Sequence, residues 1–94
     1  MIPKTVQLAG IEISVKNRPM VDDQGVIGAA NYKDQCIYLD VDAAPEDTVA
    51  QAYYHELIHW IFFIMNEEEL RNNEKLVDTM AHLLYQALKT AEIE

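Results

Sequence analysis

The chain carries one cysteine, Cys36, in 94 residues, which excludes an internal disulfide and suits a reducing compartment. Basic residues are few: seven Lys and Arg stand against sixteen Asp and Glu, a formal net charge of −9. Without clustered cations the chain is not expected to bind a nucleic-acid backbone or an anionic membrane surface. Long apolar runs are missing as well. The longest, Trp60 to Met65, is far short of the roughly 20 residues of a membrane span. Met1 to Gly10 holds no apolar stretch of secretory length, and the expected setting is the cytoplasm. No linker, repeat or low-complexity segment interrupts the chain, so residues 1–94 are expected to form a single domain.

The composition is half apolar and 24% charged, that of a globular domain. A domain of this size buries roughly 60–65% of its unfolded surface. Its core is thin, and such cores gain from a metal or a partner.

Up to about Pro45 the apolar residues recur with period two. Val6 and Leu8 precede an Ala9-Gly10 turn, and Ile11, Ile13 and Val15 alternate with Glu12, Ser14 and Lys16. Asn17 to Gly25 reads as a loop, and Val26 to Tyr32 and Gln35 to Asp40 as two strands in a hairpin turning at Lys33-Asp34. Three or four short, mostly antiparallel strands are expected. After Pro45 the pattern turns helical. Pro45, Glu46 and Asp47 suit a first turn, and the helix to about Met65 is apolar on nearly every face. Asn66 and Glu67 to Glu69 break it, the acids reading as a solvated turn. A last helix starts near Asn72 or Asn73. It carries Leu70, Val77, Ala81, Leu84, Tyr85 and Leu88 on one stripe, with Leu76, Met80, Leu83 and Ala87 beside it. The fold class is α+β, with the sheet packed on two helices.

Inside the first helix stands His55-Glu56-Leu57-Ile58-His59, an H-E-x-x-H motif. Residues four apart project from one helix face, so both imidazoles reach a common point. Zinc accepts imidazole nitrogens at about 2.0–2.1 Å in a tetrahedral shell. Glu56, flanking that face, can take a proton from a water the metal activates and pass it to a leaving amine. Three such fixed positions arise by chance in about 0.3% of chains this long, and polar groups inside so apolar a helix call for a partner.

A catalytic zinc usually has three protein ligands. Candidates for the third are His82 and the acids after residue 66. Glu74 and Asp78 fall on the stripe of Val77, Ala81 and Leu88, where a carboxylate needs a cationic partner. That favours Glu74 as the ligand, with Asp78 accepting the N–H of a ligand imidazole and fixing its tautomer. His82, Tyr53 and Tyr54 are weaker candidates for an oxyanion donor, and Cys36 reads as a packed strand residue.

His55-Glu56-x-x-His59 followed by Glu74-x-x-x-Asp78 resembles the signature of the gluzincin zinc metallopeptidases. It looks most like their minimal members, the minigluzincins and the shortened forms carried by phages and mobile elements, and more distantly like the ImmA/IrrE-type peptidases. The resemblance runs from Gly28 to Leu88. It implies zinc on His55, His59 and Glu74, Glu56 as general base, and Asp78 orienting a histidine. It also implies that the edge strand Gly28-Ala29-Ala30-Asn31 pairs with an extended substrate, as in strand addition. Large gluzincins have a C-terminal subdomain with an oxyanion-stabilising His or Tyr, and nothing here corresponds to it.

Two other classes compete with a peptidase. One is a zinc-stabilised interaction module without catalysis, for which the strip of Leu76, Met80, Leu83 and Ala87 offers a partner or homo-oligomer surface. The other, a DNA-associated protease of the SprT type, lacks a basic patch. The acidic surface suits a neutral or basic polypeptide as substrate or partner.

Overall fold

The computed structural model describes residues 2–20 and 25–93. Two-residue alternation does produce strands: β1 (Thr5–Leu8), β2 (Ile11–Asn17), β3 (Gly28–Asn31) and β4 (Cys36–Leu39). Ala9 and Gly10, at φ 51° and 79°, make the two-residue turn that sets Leu8 opposite Ile11. The strands lie in the order β1-β2-β4-β3, so β3 is an edge. β1 with β2 and β3 with β4 are antiparallel, while β2 and β4 are parallel. The hairpin between β3 and β4 is closed by Asn31, whose Oδ1 accepts from the Asp34 N–H at 2.9 Å. Gln35 takes φ 50° in that turn. Part of the expected loop, 21–24, lies outside the described residues.

Helix α1 (Glu46–Ile64) is the middle layer, which explains why its sequence is apolar almost all round. One face packs Val49, Tyr53 and Trp60 against Ile13, Ile37 and Leu39 of the sheet. Another packs Ile58 and Phe62 against Val77 and Ala81 of α3 (Glu74–Thr90). Trp60 is fully buried, and its indole N–H donates to the Cys36 carbonyl at 3.1 Å. The polar His55-Glu56-His59 face lies between the two apolar ones.

Asn66 ends α1 in the left-handed region at φ 58°. The Glu67 N–H reaches back to the Phe62 carbonyl at 2.9 Å, closing the helix as a Schellman turn. A one-turn helix, α2 (Glu68–Arg71), then follows where only a solvated turn is expected from sequence. Asn73 caps α3, its Oδ1 accepting from the Leu76 N–H at 3.0 Å.

The buried stripe of α3 is narrower than its sequence suggests. Only Val77 and Ala81 are buried. Met80, Leu83 and Leu88 are 40%, 62% and 56% exposed, because among the described residues α3 has α1 on one side and no layer on the other. Cys36 is completely buried in β4, as a packed strand residue. Among the described residues no helix is long and apolar enough to cross a membrane.

Candidate metal centre

The break at Asn66 and the cap at Asn73 turn the chain back so that the start of α3 meets the middle of α1. Glu74, the first residue of α3, also sits where the helix dipole favours a carboxylate. His55 Nε2 lies 3.1 Å from Glu74 Oε2 and 3.2 Å from His59 Nε2. His59 Nε2 lies 3.1 Å from Glu74 Oε1. Each carboxylate oxygen of Glu74 thus faces one imidazole nitrogen, and one donor atom from each of the three residues makes a triangle with no side longer than 4.8 Å. A tetrahedron built on bonds of about 2.0–2.1 Å has edges of about 3.3 Å, close to the spacing of the two imidazole nitrogens, so His55, His59 and one Glu74 oxygen could hold a divalent ion such as zinc.

His55 turns its other ring nitrogen to Asp78, with Nδ1 and Oδ1 3.3 Å apart. The structure places Glu74 against Nε2 of both histidines and Asp78 against the other ring nitrogen of His55. The Asp78 carboxylate fixes His55 in the tautomer that leaves Nε2 unprotonated. Asp78→Asn, keeping shape while weakening that contact, should lower zinc affinity by about 10–100-fold in a competition titration with a chromogenic chelator.

The premise that led to Glu74 and Asp78 does not hold, however. Their side chains are 67% and 60% exposed, because they stand on the first turns of a helix covered on one side only. It is the imidazoles that are sheltered: His55 and His59 are 21% and 12% exposed. Burial holds the His59 pKa below the ordinary imidazole range, against the pull of Glu74, and so keeps its ring neutral and able to ligate.

Glu56 is on the same helix but outside the donor triangle. Burial raises its pKa to about 7; the His55 ring opposes this, Glu74 adds to it, and the Ala30 backbone amide favours the ionised form. A carboxyl poised near neutrality can take up and give back a proton. Gly28 makes the approach of β3 to Glu56 feasible. A Cβ there would lie 3.1 Å from Glu56 Cγ and 3.1 Å from Leu39 Cδ2. Gly28→Val should destabilise the fold by about 1–3 kcal/mol in urea denaturation, since both neighbours must give way.

The edge strand offers its residues unequally. The Asp40 N–H donates to the Ile27 carbonyl at 2.8 Å, which makes that pair hydrogen-bonded. By alternation Ala29 and Asn31 turn their backbone groups to β4, and Gly28 and Ala30 turn theirs to the free edge. The Asn31 side chain is engaged in its own turn, its Nδ2 donating to Asp34 Oδ2 at 3.2 Å.

His82 stands outside the donor triangle. It is 54% exposed, with Nε2 3.6 Å from Asp78 Oδ2. It joins Gly25, Gly28, Thr48, Gln51, His55, Glu56 and Asp78 in lining a cleft of about 340 Å³ beside the site. Tyr53 is buried in the core and Tyr54 packs toward α3.

Two neighbours of the site escape the sequence reading. Tyr32, at the end of β3, stacks on Phe63 with ring centroids 4.1 Å apart. The Arg71 guanidinium lies over it, 5.2 Å from the ring centroid, and the Arg71 backbone approaches the His59 ring. Arg71 pairs with no carboxylate among the described residues. Its position depends on α2, for which a four-residue acidic stretch gives no periodic signal. No protein-family model, curated protein or solved structure matches the chain.

Proposed function

We propose that the chain is a zinc-dependent metalloendopeptidase of minimal gluzincin type, acting in the cytoplasm on neutral or basic polypeptides. The observation that carries this reading is the convergence of His55, His59 and Glu74 on one point, with the sheltered Glu56 beside it. Zinc on those three residues would supply a Lewis acid for the peptide carbonyl and a lowered pKa for water. Glu56 takes the proton of the attacking water and passes it to the departing amine nitrogen. Asp78 keeps His55 in its ligating tautomer. An extended substrate lies along β3, bonded to the outward backbone groups of Gly28 and to the Ala30 carbonyl, with no larger side chain than a methyl between them.

A second reading, a zinc-held interaction module, has one observation in its favour: the exposed apolar side chains of Met80, Leu83 and Leu88 along α3. An intact Glu56 has no use in such a module. Metal analysis of the purified protein, with peptide cleavage by wild type and Glu56→Gln, separates the two. Zinc without cleavage in wild type favours the module.

A further inference from the structure

The cleft beside Glu56 has a floor and two walls of different chemistry. Thr48, Gln51 and Ala52 of α1 form the floor, segment 25–28 forms one wall, and Asp78 and His82 of α3 form the other. Its volume of about 340 Å³ holds one long side chain of an extended peptide. Neither Lys nor Arg lines it among the described residues. Glu74 and Asp78 alone would balance a divalent cation, so the surplus negative charge comes from Glu56 where it is ionised and from a chain that carries −9.

The charge is also arranged along β3. Gln51 and Thr48, both polar and uncharged, line the cleft together with Gly28. Arg71 lies outside the cleft, over Tyr32 and Phe63 just past the other end of β3. β3 runs from one end to the other, so a peptide paired with it spans both. A cationic side chain is attracted at the Gly28 end and repelled at the Arg71 end, and an acidic one the reverse.

We infer that the cleft formed by Thr48, Gln51, Asp78 and segment 25–28 is a specificity subsite for a lysine or arginine side chain next to the bond that Glu56 addresses. This rests on the peptide-binding reading of the site, and it names the substrate class that reading leaves open. Asp78 faces His55 with Oδ1 and His82 with Oδ2, and a cation entering the cleft meets that carboxylate from its solvent side. Gln51 and Thr48 supply oxygens for the remaining donors of an ammonium or guanidinium group.

The test uses blocked peptides that differ only in one residue, Lys, Arg, Leu or Glu, beside a fixed cleavage position. Binding is measured by calorimetry on zinc-loaded Glu56→Gln, and cleavage on wild type. Lys and Arg peptides should bind and be cleaved at least tenfold better than the Glu peptide, with the ratio shrinking as salt is raised. Gln51→Lys should reverse that order, and Thr48→Lys should shift it the same way, each checked for unchanged melting temperature. Cleavage by wild type with no preference for cations, or a preference that Gln51→Lys and Thr48→Lys leave intact, overturns the subsite while the peptidase stands. Selective binding of Lys and Arg peptides to a wild type that cuts none of them overturns the peptidase and supports the subsite.

Discussion

Glu56→Gln should retain zinc and the fold while cleaving peptides about 10²–10⁴-fold more slowly, the range associated with loss of a positioned general base. The amide keeps the shape of the side chain beside Gly28, where space is tight, so no packing change accompanies the loss of the base. The same substitution has a second consequence in the metal-free protein. Burial raises the Glu56 pKa from 4.5 to about 7. The folded state therefore binds this proton more tightly than the unfolded chain. The stability associated with it is fully present below about 4.5 and is lost as pH rises through about 7. Glutamine does not ionise and loses nothing over that window. In chelator at pH 8, Glu56→Gln should be more stable than wild type by on the order of 2–3 kcal/mol, and the gap should shrink toward pH 5. Urea denaturation at the two pH values measures it. Undiminished cleavage by Glu56→Gln removes the residue from the mechanism. A gap of equal size at both pH values removes the buried, raised carboxyl.

The two outcomes together describe a residue kept at a cost to the fold. A carboxyl placed between a sheet edge and a helix face is a poor choice for stability, and glutamine or an apolar residue would serve the core better. That Glu56 occupies the position, with Gly28 leaving room for it, is expected of a group retained for chemistry.

Different parts of the molecule were legible in the sequence for different physical reasons. The strands and the two long helices follow from the change of apolar period near Pro45, and Asn66 marks the end of α1 because its side chain tolerates a left-handed backbone. The pair His55 and His59 is legible because four residues on a helix fix a direction. Glu74 and Asp78 were reached through a premise the structure corrects: both are exposed, and what places them is the tight return from Asn66 to Asn73. The parallel pairing of β2 with β4 has no local signal, since it depends on β3 being laid down outside β4. Arg71 and Tyr32 were missed because a one-turn helix has no periodicity and because a strand-end tyrosine does not announce what it stacks upon.

Removing zinc should lower the melting temperature by roughly 15–30 °C. Helix α3 is held to α1 by Ile58 and Phe62 against Val77 and Ala81, with Tyr54, Leu70 and Leu76 packed around them, while Met80, Leu83 and Leu88 remain exposed. The Tyr85 hydroxyl and the Lys89 ammonium both donate to Asp47, the latter at 2.9 Å, but these contacts are at the surface and add little. A metal bound by His55 and His59 of α1 and by Glu74 of α3 would add a further tie between the two helices. At a free zinc concentration about 1,000 times the dissociation constant, binding contributes about 4 kcal/mol. In a domain of 60–100 residues each kcal/mol moves the melting temperature by about 4–8 °C, which gives the stated range. Chelation should also release the amides of α3 in hydrogen exchange before those of β2 and β4, since the sheet and the Trp60 face of α1 form a separate cluster. His59→Ala should abolish the zinc-dependent increment, and added zinc should then leave its melting curve unchanged. A wild-type melting temperature indifferent to chelator would sink the idea that His55, His59 and Glu74 form a metal site that joins the two helices.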